Sequence, residues 1–212
     1  MCGIAGSSNF EKAYNLYKLN LPRGGYSSGL MMLDTNSGNN IVYRQKGIFT
    51  EDDYTSFTLQ ATSEHNTFNY FLFHSRAPTN STETQWTEET THPFKQDNCY
   101  VAHNGIITNF NDLNKDIFLK VDSQIIPHDL IKSFNLEETY SRYEGLLTSW
   151  VVWSNCVYVV KAGSSLWMDG NSFSSAQFSE SKYVEEDGVI YELINNNLVL
   201  TKKFKYNNPY FI

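Results

Sequence analysis

Four short segments of this chain carry residue types that could work on an amide. Residue 2 is a cysteine directly behind the initiator methionine, in Met1-Cys2-Gly3-Ile4-Ala5-Gly6. Removal of Met1 would expose the Cys2 α-amine, whose ordinary pKa of about 7.7–8.0 lets it exchange a proton with the thiol near neutrality. One residue would then hold both nucleophile and base. A retained Met1 would turn that amine into a peptide nitrogen and remove the base. Taken alone, the bland alternative is a buried, inert thiol.

A second segment reads Val101-Ala102-His103-Asn104-Gly105-Ile106-Ile107. Locally, Asn-Gly between apolar runs is a type I′ hairpin turn. Chemically, the Asn104 side-chain amide and the Gly105 backbone N–H make an oxyanion hole, where one donor is typically worth about 3–4 kcal/mol of transition-state stabilisation. In Phe73-His74-Ser75-Arg76-Ala77-Pro78-Thr79 an arginine stands just past an apolar strand. It is a surface arginine or a bidentate carboxylate clamp. In Val121-Asp122-Ser123-Gln124, Asp122 is a helix cap or a ligand for an ammonium group.

The elements that must position these residues are mostly short strands separated by turns rich in Gly, Asn and Ser. Leu30–Asp34 and Ile41–Arg44 flank Asn36-Ser37-Gly38-Asn39. Leu146–Trp153 and Cys156–Lys161 flank Ser154-Asn155, and Gly188–Leu193 and Leu198–Lys203 flank Asn195-Asn196-Asn197. Each is a hairpin, and Tyr70–His74 is a further compact apolar strand. Phe10, Ala13, Tyr14, Tyr17 and Leu21 recur at helical spacing until Pro22. Thr50 is placed to cap a helix with Asp52 and Asp53 in its first turn. A third helix is expected after Asp122-Ser123, through Leu130 and Phe134, beginning near Pro127 because proline is tolerated only in the first turn. Strands grouped with a few helices, without β-α-β alternation, indicate an α+β protein with antiparallel sheets. No repeat or linker interrupts residues 1–212, which read as a single domain.

Bulk properties exclude several functions. A formal net charge of −7 and 18% charged residues disfavour a nucleic-acid or anionic-membrane surface. Lys202, Lys203 and Lys205 form the one basic cluster, read as a solvated strand edge. No signal peptide and no bilayer-length apolar run is visible, so the chain reads as cytoplasmic, without a membrane partner. Three cysteines without a C-x-x-C pair give neither a disulfide framework nor a zinc site. His65, His74, His92, His103 and His128 show no metal-ligand spacing. His74 and His103 are expected as core residues that end strands, and Cys99 and Cys156 as inert buried thiols.

Taken in order, these segments resemble the glutaminase domain of class II glutamine amidotransferases. The resemblance rests on Met-Cys-Gly-Ile, Arg23-Gly24 with Ser27-Ser28-Gly29, the Arg76 and Asn104 segments, His92-Pro93-Phe94 and Val121-Asp122-Ser123. Glu144-Gly145 and Ser174-Ser175-Ala176 extend it over nearly the whole chain. It implies a four-layer αββα sandwich of the N-terminal-nucleophile hydrolases. It implies that Cys2 attacks glutamine, that Asn104 and Gly105 hold the oxyanion, that Arg76 grips the α-carboxylate and that Asp122 grips the α-ammonium. Thr79, His92 and His103 match positions around that pocket, and no metal or other cofactor is implied. Tyr26 stands where the family carries an acid, and Ala77 where it often carries tryptophan. No phosphate-binding glycine motif follows, so a separate ammonia-accepting synthase or transferase subunit is expected as partner. Two other readings stay open: an amide hydrolase of the same chemistry acting on another substrate, and a catalytically silent regulatory domain of the same fold.

Overall fold

A computed structural model describes residues 2–63, 67–77 and 87–208. The chain runs β1 (Gly3–Ser7), α1 (Phe10–Asn20), β2 (Ser27–Leu33), β3 (Asn40–Lys46), α2 (Glu51–Ala61), β4 (Tyr70–Arg76), β5 (Phe94–Gln96) and β6 (Cys99–Ile107). It continues through α3 (Phe110–Leu113), α4 (Ile125–Ser133), α5 (Leu136–Ser141), β7 (Gly145–Trp153), β8 (Cys156–Lys161) and β9 (Trp167–Asp169). The last strands are β10 (Ser172–Ser174), β11 (Lys182–Tyr183), β12 (Val189–Ile194) and β13 (Asn197–Lys203). Two sheets result, ordered β11-β9-β10-β1-β4-β2-β3 and β13-β12-β8-β7-β6-β5. Every paired strand in them is antiparallel.

Period-two alternation sorts the side chains into three cores. On β4, Tyr70 and Leu72 face the second sheet, where they join Ile4, Met31, Tyr100, Trp150 and Val159. Phe71 and Phe73 face the other way, into a core with Phe10, Tyr14, Tyr17 and Phe57 from α1, α2 and their surroundings. On the far side of the second sheet, Val101, Leu147 and Val151 pack on Ile126, Leu130 and Tyr140 of α4 and α5. Helices, sheet, sheet and helices therefore stack in that order. Fully burying a large apolar side chain is worth roughly 1.5–3 kcal/mol, and Trp150, Phe73 and Tyr140 are all fully buried. Trp150 also ties the sheets together by donating its indole N–H to the Phe73 carbonyl at 3.1 Å.

Local chemistry explains most element boundaries. Asn9 caps α1 by accepting from Lys12 N, and the helix gives way to a 3₁₀ turn containing Pro22. Thr50 and Asp53 form a capping box at the start of α2. The expected hairpins are present, with Ser154-Asn155 and Asn195-Asn196 both at positive φ as two-residue I′ turns require. The third helix starts at Ile125, two residues before Pro127, and ends at Ser133 because Phe134 adopts the left-handed conformation. The short helix α5, capped by Asn135 on Glu138 N, and the three-residue strands β9 and β10 were not expected from the periodicity.

The hairpin turn suggested by Asn104-Gly105 does not form. Both residues lie inside β6, paired with Thr148 and Leu147 of β7. The local turn signal loses to a continuous ladder that pairs all of Cys99–Ile107 with Gly145–Trp153. The close ladder also needs the glycine: a Cβ on Gly105 would stand 1.8 Å from the Leu146 carbonyl oxygen. Gly29 on β2 has the same role against the segment that carries His92. A Cβ there would stand 2.0 Å from the His92 carbonyl oxygen, whereas a Cβ on Gly47, at φ +78, would meet nothing within 4 Å.

Gly29→Ala should therefore cost the 3 kcal/mol or more, roughly, of severe overpacking. Gly47→Ala should cost only the ~1–2 kcal/mol of a left-handed L residue. At about 2–4 °C per kcal/mol for a chain of this size, thermal melts should separate the two variants by several degrees. Equal, small shifts would show that the Gly29 approach is not tight.

Candidate active site

Cys2 leads into β1, a central strand of the first sheet that is paired on one side with β4 and on the other with β10. The register sets Gly3 opposite Ser75 and Ile4 opposite His74. One step further along, the same register brings Cys2 beside Arg76, the last residue of β4. The Cys2 thiol lies 3.6 Å from the Ala77 carbonyl, which accepts from it, and the Cys2 carbonyl accepts from Arg23 Nε at 3.2 Å. Burial pushes the thiol above its ordinary pKa. The hydrogen bond to the Ala77 carbonyl and the Arg76 charge pull it back, and the Asp122 carboxylate adds a smaller upward push.

Arg76 is not a surface arginine; it is 3% exposed. Its Nη1 donates to the Thr90 carbonyl at 2.7 Å, and its guanidinium carbon lies 5.9 Å from the centre of the Tyr26 ring. Tyr26, where the family that the sequence resembles carries an acid, thus offers a π face to Arg76. Asp122 opens a 3₁₀ turn, Asp122–Gln124. Its Oδ2 accepts from Ile107 N at 2.8 Å and its Oδ1 from Ser123 N at 2.8 Å, which pins the carboxylate to the end of β6.

That same hydrogen bond fixes the direction of the Gly105 N–H. In an antiparallel strand alternate residues point their backbone groups to the same edge. Ile107 N–H points away from β7 toward Asp122, and the His103 carbonyl accepts from His74 Nε2 at 3.2 Å on that edge. Gly105 lies between them, so its N–H faces the same edge. The covering strand β5 pairs only with Cys99, Tyr100 and Val101. Asn104 is 1% exposed and donates Nδ2–H to Ser175 Oγ at 3.0 Å. Ser175 Oγ accepts in turn from Ile4 N at 3.1 Å, two residues from Cys2.

Of the other expected residues, Thr79 lies outside the described residues. His103 is fully engaged: Nε2–H donates to the Leu146 carbonyl at 2.7 Å and Nδ1 accepts from Ser123 Oγ at 2.9 Å. It braces the turn that carries Asp122. His92 is buried, its ring centre 4.0 Å from that of His74, and neither ring nitrogen has a partner among the described residues. His74 Nδ1 is likewise unpartnered. Cys99 is buried in the outer core and pushed up to about 12 by desolvation, an inert thiol as expected. Cys156 differs: it is half-buried and lines a cavity of about 690 Å³ among the hairpin turns. Nothing local to Ser174-Ser175-Ala176 marks Ser175 as a partner of Asn104, 71 positions away. Among the described residues no cluster of three or more His, Cys, Asp or Glu is arranged to hold a metal, and no helix is long and apolar enough to cross a membrane.

By sequence, no family model and no curated protein matches the chain. By shape, it is similar to the glutamine phosphoribosylpyrophosphate amidotransferase of B. subtilis, solved in complex with ADP and GMP. That superposition has a TM-score of 0.71 at 14% identity and covers 97% of this chain and 49% of the other. A structure described as the allosteric regulatory enzyme of purine biosynthesis gives 0.68 at 15% identity, again covering 97% and 49%. The chain spans about half the length of these relatives. The fold is therefore the one found in those amidotransferases, α+β with two antiparallel sheets, as the sequence resemblance implies.

The buried histidines make the fold acid-sensitive. Burial lowers His74 to about 3 and holds His92 and His103 below 6.5. The unfolded chain takes up these protons as pH falls through about 6.5 while the folded chain does not, so stability declines with falling pH. Each residue contributes up to about 1.4 kcal/mol per pH unit below that point. Thermal midpoints should drop steeply between pH 6.5 and pH 5, before carboxylates titrate. A flat midpoint across that window would contradict the neutral, buried assignment.

Proposed function

We propose that this chain hydrolyses the side-chain amide of L-glutamine through an N-terminal cysteine thioester and releases ammonia to an acceptor site on a separate polypeptide. What supports this reading is the register that sets Cys2 beside Arg76, together with Asp122, of opposite charge, held at the end of the strand that carries Asn104 and Gly105. Glutamine carries the matching pair, an α-carboxylate and an α-ammonium. The Thr90 carbonyl orients the Arg76 fork for a bidentate grip on the carboxylate. A carboxylate accepts about four hydrogen bonds, so Asp122 keeps capacity for the ammonium beside its bonds to Ile107 and Ser123.

The raised pKa of Cys2 gives the α-amine its role. A thiol buried this way is protonated at neutral pH, so attack needs a base within reach of sulfur, and the free amine of the same residue supplies it. The thiolate attacks the amide carbon, and the carbonyl oxygen takes up the negative charge between Asn104 Nδ2 and Gly105 N–H. The carbon–nitrogen bond breaks as the α-ammonium of Cys2 returns its proton to the departing nitrogen. Ammonia leaves, and a γ-glutamyl thioester remains. Water adds to the thioester, the amine accepts its proton, and glutamate departs as the thiol re-forms. His92 lines the pocket in this reading, and His103 acts by holding Asp122 through Ser123.

Glutamate release from glutamine by protein whose intact mass shows Met1 removed is the direct test. Cys2→Ala should abolish it, while Cys99→Ala and Cys156→Ala retain most of it. Arg76→Lys should raise KM for glutamine by about 10- to 100-fold, because a single ammonium replaces a bidentate fork. Activity that survives Cys2→Ala would remove the assigned nucleophile. Faster hydrolysis of an apolar acyl amide than of glutamine would favour a different amide hydrolase.

A further inference from the structure

We propose that Ser175 is a positioning residue that fixes the Asn104 amide relative to the strand of the nucleophile; this rests on the glutaminase reading and adds a residue to it. Ser175 follows β10, whose Ser174 pairs with Ala5 of β1. It is 1% exposed, and three of its groups are committed. Its N–H donates to the Ile4 carbonyl at 2.9 Å, its carbonyl accepts from Ser165 Oγ at 2.8 Å, and its Oγ accepts from Ile4 N at 3.1 Å. The same Oγ accepts from Asn104 Nδ2 at 3.0 Å.

A hydroxyl has two acceptor lone pairs, and here one takes a donor from each sheet. Ile4 belongs to β1 of the first sheet and Asn104 to β6 of the second. The separation between the attacking sulfur and the amide that receives the oxyanion is thereby set through one oxygen atom. The bond also sets the rotation of the amide. Nδ2 is turned toward β1, one of its hydrogens is bound by Ser175, and the other is the one an oxyanion at Cys2 can use. Misplacement of a catalytic group by about 1 Å can cost on the order of 100-fold in rate. Removing the hydroxyl would leave Ile4 N and Asn104 Nδ2 as buried donors without this acceptor. It would touch neither Arg76 nor Asp122, which hold the substrate.

The test compares Ser175→Ala and Ser175→Thr with Ser172→Ala. Ser172 is equally buried and its Oγ bonds Ser7 Oγ at 3.0 Å, across the same pair of strands but at the far end of β1. Ser175→Ala should lower kcat for glutamine by about 10- to 100-fold with KM within threefold of wild type, and Ser175→Thr should recover most of the loss. Ser172→Ala should lose thermal stability comparably and keep its kcat. An unchanged kcat in Ser175→Ala overturns the proposal, as does a fall in kcat that Ser172→Ala shares, or one that appears in KM instead. Wild-type protein without Cys2-dependent glutamate release overturns the glutaminase reading itself, and the positioning role with it.

Discussion

Everything proposed for Cys2 depends on how firmly the strand that directly follows it is held. That strand, β1, is inserted between β4 and β10, near the middle of a seven-stranded sheet. Hydrogen-bond ladders on both edges hold Gly3 to Ser7 in place. The register then leaves little freedom to Cys2: its neighbour across the ladder is the end of β4, and that end is Arg76. A shift of one residue would turn every β1 side chain to the opposite face, moving Ile4 out of the intersheet core and Ala5 out of the helix-side core.

The site is held by polar bonds that cross between the layers, in a place where burial makes polar groups costly. A buried group without a partner costs roughly 1–3 kcal/mol, and most of the groups here are satisfied. Asp122 is held by the backbone of β6 and of its own turn, His103 by the Leu146 carbonyl and Ser123, and Arg76 by the Thr90 carbonyl. His92 departs from this pattern: among the described residues neither of its buried ring nitrogens has a partner, and it stands beside His74, whose Nδ1 has none either. Such unmet groups cluster where a fold is shaped around something other than itself. They stand within the influence of Arg76, which acts on both His74 and His92.

Tyr26 bears on Arg76 without adding a charge of its own. An acid beside Arg76 would neutralise the guanidinium in part and compete with an incoming carboxylate. An aromatic face attracts the cation by its quadrupole, an attraction worth roughly 0.5–2 kcal/mol, without adding a charge. The positive charge of Arg76 is then left undivided by this neighbour.

Much of this protein is legible in the order of its residues. The hairpins at Ser154-Asn155 and Asn195-Asn196, the capping box at Thr50, the helix stopped before Pro22 and the one begun near Pro127 follow from turn chemistry, caps and periodicity, which act over a few residues. Cys2, Arg76, Asn104 and Asp122 stand out by residue type and by an order that resembles that of class II amidotransferases. What the tertiary structure alone decided depends on partners distant in sequence. Asn104-Gly105 is strand and not turn because β7 supplies a ladder some forty residues away. Arg76 is buried because the Thr90 segment folds over it, and Ser175 meets Asn104 across 71 positions. Those contacts form only when two sheets pack face to face, and no pattern read along one strand contains the geometry of the other.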